Sequence, residues 1–236
     1  MDSSIGVIAA TAAFLALTHT LIGVDHYLPF VALGRARRWS YRRLAIVVVL
    51  CGIGHVASSV LLGFVGIALG IAVGSLESVE STRGELASYL IIAFGLVYML
   101  WGIRAALRNR THAHEHTHAD GSVHQHVHDH HGTHLHTHDS SRRSTVVWVL
   151  FLLFVFGPCE PLIPLIMYPA AKSSIAGVAL VAGIFSVVTI AVMLVMSLAL
   201  YAGALRLRWQ RLERYTHAAA GFAILAAGLL VAFGGL

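Results

Sequence analysis

Long apolar runs alternate with short polar connections along the whole chain. The runs cover residues 5–22, 44–74, 86–103, 146–169, 175–204 and 218–236. Each is close to or above the roughly 20 residues that a helix needs to cross a bilayer core of about 30 Å. No two-residue alternation of apolar and polar positions accompanies them, which argues against a transmembrane barrel. The pattern predicts an all-α membrane protein of six transmembrane helices. One long polar segment separates the first three runs from the last three.

Composition supports the same class. Of the 236 residues, 57% are apolar and 11% charged, against about 25% charged in an ordinary soluble domain. The beginning, Met1-Asp2-Ser3-Ser4, lacks the basic start of a cleavable signal. Cys51 and Cys159 both fall inside apolar runs, so no disulfide framework is implied.

Basic residues are placed unevenly. Arg35, Arg37, Arg38, Arg42 and Arg43 follow the first run, and Arg104, Arg108 and Arg110 follow the third. Arg142 and Arg143 precede the fourth, and Arg206, Arg208, Arg211 and Arg214 lie between the fifth and sixth. Only Arg83 and Lys172 fall on the other side, where Glu77, Glu80 and Glu85 share the loop with Arg83. The positive-inside rule then puts both termini outside and the Arg-rich loops in the cytoplasm of a multi-pass inner-membrane protein. Short clusters next to spans fit topology and anionic lipid, not nucleic acid.

The two halves match weakly but in order. Gly23-Val24-Asp25-His26 aligns with Gly157-Pro158-Cys159-Glu160, Gly52-Ile53 with Gly183-Ile184, and Gly95-Leu96 with Gly228-Leu229. The offset is nearly constant. Three spans per half would invert one half relative to the other, an architecture that places a transport site near midplane. The expected organisation is a first three-helix repeat at 1–107, a cytoplasmic His-rich loop at 108–143 and a second repeat at 144–236.

Ionisable groups inside a span are costly and usually functional. The apolar runs or their immediate ends carry His19, Asp25, His26, His55 and Glu160, with Cys159 beside the last. Imidazole, carboxylate and thiol together suit nickel, cobalt, zinc or copper better than magnesium or sodium. His19 and His26 share a helix face, but Asp25 lies about 100° from its neighbour on a regular helix. Pro29, and Pro158, Pro161 and Pro164, suggest broken helices that turn side chains and free carbonyls toward a cavity. His19 and His55 also fit a plainer role as interhelical hydrogen-bond partners, and Cys159 that of a small apolar filler.

The central loop holds most of the 16 histidines, as His112, His114, His116, His118, His124, His126, His128, His130, His131, His134, His136 and His138. Neutral imidazoles in such number make an exchangeable, multi-ion binding segment. Having few apolar residues, it is expected to lack regular structure without metal.

These residues resemble the nickel/cobalt transporter and urease-accessory-type permease family. That family lies in a superfamily that also holds the cytochrome c biogenesis and disulfide-reductase membrane domains. The resemblance rests on His19 with Asp25-His26, on Gly54-His55, on the central His-rich loop and on Gly157-Pro158-Cys159-Glu160-Pro161. Five residues separate His19 from Asp25, where the family's nickel-permease signature has four. The segment around Cys159 looks like the redox branch, whose paired cysteines sit on symmetry-related helices, but here Asp25 stands opposite Cys159. The resemblance implies a carrier of divalent transition metal, nickel or cobalt first, and not an enzyme. No organic cofactor and no P-loop are expected. The partners are the ion and the bilayer. Capture of cytosolic ion by the loop slightly favours export, while trapping of imported ion would use the same loop. The alternatives are a transmembrane thiol-disulfide electron carrier and a membrane-anchored metal chaperone or sensor.

The charge distribution makes one prediction directly. A reporter fused at Gly121 reads cytoplasmic and one fused at the C-terminus reads external; a cytoplasmic C-terminus contradicts the orientation.

Overall fold

The computed structural model describes residues 3–108, 112–117, 123–128, 139–159, 161–171, 174–206 and 210–234. The membrane part is all helical. Helix α1 (Ser3–Ile22) ends in a single 3-10 turn (Val24–His26), and α2 (Leu28–Ala36) leaves it at 83°. Helices α3 (Tyr41–Ala68) and α4 (Val73–Arg108) complete the first half. The second half holds α5 (Asp139–Phe156), α6 (Leu162–Ala171), α7 (Ile175–Arg206) and, after a 3-10 turn (Gln210–Tyr215), α8 (Thr216–Gly234).

Among the described residues four helices are long and apolar enough to cross a membrane, and a fifth span results if the bent pair α1–α2 counts as one. The run expected as a single fourth span, 146–169, is two shorter helices, α5 and α6. The reason is local. Pro158 has no N–H and its ring clashes with the carbonyl four residues back, so α5 stops at Phe156.

The polar loop also differs from expectation. Strands β1 (His112–Thr117) and β2 (Val123–His128) pair antiparallel, with His112 opposite His128, His114 opposite His126 and His116 opposite His124. A His-x-His alternation matches the two-residue period of a strand, a pattern that low hydrophobicity alone does not register. His118, His130, His131, His134, His136 and His138 lie outside the described residues.

Lipid-like exposure marks the exterior. Leu61, Val97, Val187 and Phe222 are each more than half exposed on helix surfaces, which a bilayer accepts and water does not. Inside, α3 runs through the middle and packs on α5, α6 and α7, while α1 lies on α7 and α2 on both α7 and α8. Buried apolar side chains form two clusters. One holds Phe30, Leu33, Leu44, Cys51, Leu150, Phe154, Met193 and Tyr201. The other holds Ala12, Ala16, Val56, Cys159, Leu162, Ile166 and Phe185. His55 sits on α3 between its Cys51 and Val56 positions, where the two clusters meet.

The most extensive contact is α4 against α8. Lipid tails give no hydrophobic drive for helices to pair, so close backbone approach supplies the attraction. A Cβ on Gly221 would strike the backbone of Met99, and one on Gly95 would strike the backbone of Leu225. Gly183, by contrast, has nothing near its missing Cβ. Gly221→Val should therefore cost on the order of 3 kcal/mol through overpacking and lower the melting temperature in detergent, whereas Gly183→Ala leaves it unchanged. Equal melting of the two variants contradicts this packing.

Candidate metal centre

Both helix breaks free peptide groups, and the freed groups orient the histidines. At the first break the Gly23 carbonyl accepts from the backbone N–H of His26 at 3.1 Å and from its Nδ1 at 3.1 Å. A side chain at position 23 would occupy the place of the His26 ring, so the close approach needs glycine. Tyr27 Oη donates to the Leu21 carbonyl at 3.2 Å, a group that the broken helix no longer pairs. Asp25 Oδ1 lies 3.1 Å from the same Nδ1 of His26.

At the second break Pro158 removes the i+4 donor of the Phe154 carbonyl, which the Gly157 N–H still reaches at 3.1 Å. His55 Nδ1 donates to that carbonyl at 3.1 Å. A Cβ on Gly157 would come within 2.9 Å of the His55 ring, so glycine again makes room for an imidazole.

Carbonyl oxygens only accept, so Nδ1 of His26 and of His55 carries the proton. Nε2 of His26 is then left without a partner among the described residues, the arrangement that suits a metal ligand held by an outer partner, while Nε2 of His55 faces the Cys159 thiol. His19, one side of the cluster, stacks edge-on against His26 with ring centroids 4.8 Å apart, and His26 meets His55 at 5.0 Å. One ring nitrogen from each of the three lies within 4.8 Å of the others. His26 and His55 are buried and His19 is partly so. The Nε2 atoms of His19 and His26 are buried and, among the described residues, have no hydrogen-bond partner. Leaving such a group unpaired costs about 1–3 kcal/mol, and an ion would supply the missing partner. Zinc-type ligation at about 2.0–2.1 Å sets nitrogens about 3.3 Å apart in a tetrahedron. With the nitrogens within 4.8 Å of one another, an ion would need them to draw together.

The remaining expected residues take different places. Cys159 is fully buried with its Sγ 3.0 Å from Nε2 of His55, at the edge of the cluster. Asp25 supports His26 from behind, with its side chain 23% exposed. Glu160 lies outside the described residues. Cys51 is packed in the other apolar cluster, and both cysteines are free thiols.

A cavity of about 640 Å³ adjoins the cluster. Its wall includes Thr18, His19, Asp25, His26 and His55, then Ser81, Glu85 and Ser88 of α4, and Val231 and Ala232 near the end of α8. It leads from the imidazoles toward the end of the bundle where α4 begins and α8 finishes.

The sequence pattern did not single out Glu80 and Arg83, which fell in an expected loop. Here they belong to α4, and Glu80 is fully buried with Arg83 Nη1 2.5 Å from its Oε1. The readable signal was the i, i+3 spacing of opposite charges directly before an apolar run, together with the Ser58-Ser59 pair one turn beyond His55.

The fold and site define a multi-pass helical membrane protein with buried imidazoles at an interrupted helix. The chain matches the cytochrome c biogenesis protein transmembrane region over residues 8–234 and belongs to that family. No curated protein and no solved structure matches it. Family membership places the chain in the superfamily that its motifs resemble.

The geometry sets an order of effects on binding. In protein lacking residues 112–138, His26→Ala or His55→Ala should weaken cobalt(II) or nickel(II) binding more than 100-fold. Asp25→Ala should weaken it about 10–100-fold, as loss of an orienting partner does. Competition titration against a chelator checks this; unchanged affinity in His26→Ala would remove the cluster as the binding site.

Proposed function

We propose that this protein carries a divalent transition metal, nickel or cobalt first, across the membrane. The observation that supports it best is the buried trio of His19, His26 and His55, with two Nε2 atoms left unpartnered. Neutral imidazole selects borderline ions over magnesium and calcium, and the Asp25 carboxylate offsets part of the ion's charge. The Cys159 thiol beside His55 would favour softer ions. Ligands that must draw together around the ion suit a transient site better than a permanent one.

Two inverted three-helix repeats fit the contacts. In such a pairing α1–α2, α3 and α4 correspond to α5–α6, α7 and α8. The packing of α1 on α7 then has its counterpart in α5 on α3, and that of α2 on α8 in α6 on α4. The two breaks fall at corresponding places, Gly23 and Gly157. With the termini outside, the cavity past Glu85 leads to the external face and the histidine loop lies on the cytoplasmic one. Ion gathered by the loop and released through the cavity would be exported.

The second reading is a thiol-disulfide electron carrier, and the family match favours it as much. It needs two thiols that meet. Cys51 and Cys159 belong to different apolar clusters, which supports the metal reading instead. An anchored metal chaperone or sensor would use the same imidazoles without flux.

Ion flux into proteoliposomes separates the three. Asp25→Asn, His26→Ala and His55→Ala should each abolish flux of folded protein, while Cys51→Ala combined with Cys159→Ser only lowers it. Deletion of residues 112–138 should reduce flux at low ion concentration and spare it at saturation. Full activity of Asp25→Asn with loss in the double cysteine variant would transfer the assignment to the electron carrier.

A further inference from the structure

The second helix break is held by groups that come from outside it. In an unbroken helix the Val155 carbonyl would accept from the N–H of residue 159, and the Gly157 carbonyl from that of residue 161. Position 161 is proline and has no N–H. Arg83 of α4 takes the first place, with Nη2 2.9 Å from the Val155 oxygen, and lies at the longer distance of 3.5 Å from the Gly157 oxygen. The same Nη2 donates to Ser58 Oγ of α3 at 2.8 Å. The freed Cys159 N–H is taken by Glu80 Oε2 at 3.2 Å and by Ser59 Oγ at 3.3 Å, and Ser59 Oγ donates to Glu80 Oε2 at 3.2 Å. Glu80 and Arg83 are joined to each other. One ion pair on α4, with two serines of α3, therefore accounts for the backbone groups on each side of Pro158.

We infer that Glu80 and Arg83 are positioning residues for the buried imidazole site, fixing the Gly157-Pro158-Cys159 backbone so that Cys159 and the Phe154 carbonyl hold His55 from opposite ring edges. Neither side chain belongs to the imidazole cluster. A buried ion pair is a poor source of stability, since desolvation offsets most of its attraction. Its geometric content is what singles it out here. The cation stands at the carbonyl end of α5, where a helix favours positive charge, and the anion takes the first N–H after the break. Among the described residues the first break shows no such clamp: there Tyr27 and His26, within the break itself, donate to the Leu21 and Gly23 carbonyls. The two halves therefore differ in how their interrupted helices are held, with the second tied to α3 and α4.

The inference rests on the metal reading only for the purpose of the site, and two measurements separate the two. Protein carrying Cys51→Ala reports Cys159 alone. The rate of Cys159 alkylation by N-ethylmaleimide is measured without metal, and cobalt(II) affinity is measured on the same preparations without residues 112–138. Removing one charge strands the other, so the double variant Glu80→Gln with Arg83→Gln is the one expected to fold, and monodisperse elution checks that it does. It should alkylate about tenfold faster and bind cobalt(II) about 10–100-fold more weakly, the range seen for lost orienting partners. Arg83→Lys should behave like the loss variant, because an ammonium cannot reproduce the planar fork that meets two carbonyls, a hydroxyl and a carboxylate. Alkylation and affinity both at the level of the parent protein, or faster alkylation with unchanged affinity, overturns the positioning role. If the parent protein binds no cobalt(II), the metal reading fails, and the alkylation rates alone decide whether the pair holds the break.

Discussion

A peptide group freed inside a membrane has no water to turn to, and everything around the site follows from where those groups find partners. Pro158 and the turn at Gly23 interrupt two helices at the level of the apolar core. The interruption removes the i+4 donors of the Leu21, Gly23, Phe154, Val155 and Gly157 carbonyls, of which Gly23 still accepts from the His26 N–H and Phe154 from the Gly157 N–H. Two of them take the Nδ1 protons of His26 and His55. In this way the broken backbone orients each ring, leaving Nε2 of His26 without a partner among the described residues and Nε2 of His55 against the Cys159 thiol. The imidazole cluster is a consequence of the breaks, not an addition to them.

The electrostatic arrangement is economical. The Nε2 atoms of His19 and His26, which have no partner among the described residues, are the nitrogens available to an ion. Asp25 contacts Nδ1 of His26, the nitrogen that also donates to the Gly23 carbonyl. Glu80, fully buried, is matched at short range by Arg83 and is directed to the backbone of the second break. One acid thus supports the ligands and the other supports the fold, although both lie on breaks or elements that border the same cavity.

Much of this was legible in the sequence as polar groups out of place. His19, Asp25, His26 and His55 stand out because an apolar run tolerates few such residues, and the prolines near positions 29 and 158 announce interrupted helices. What hydropathy did not convey was reach. The chain before position 86 is polar enough to be taken for a loop, yet α4 starts at Val73 and carries Glu80 and Arg83 into the bundle. Charges that satisfy one another and a broken backbone lose their cost, and a window average cannot detect that compensation. A regular helix carries His19 and His26 on one face but turns Asp25 about 100° away; the 3-10 turn at Val24–His26 keeps the two rings in contact and brings Asp25 Oδ1 to 3.1 Å from His26 Nδ1. The hairpin in the histidine loop was hidden for a different reason: its alternation is of polar residues, and apolar periodicity is blind to it.

The account stands or falls on whether one ion is held by these imidazoles. X-ray absorption at the metal edge answers this most directly, on cobalt(II)- or nickel(II)-loaded protein lacking residues 112–138, so that loop histidines cannot contribute. The account predicts a first shell dominated by three imidazole nitrogens near 2.0–2.1 Å, with the multiple-scattering signature of the rings falling by about one third in each of His19→Ala, His26→Ala and His55→Ala. A shell of water and carboxylate oxygens, or an imidazole signature that survives all three substitutions, contradicts it.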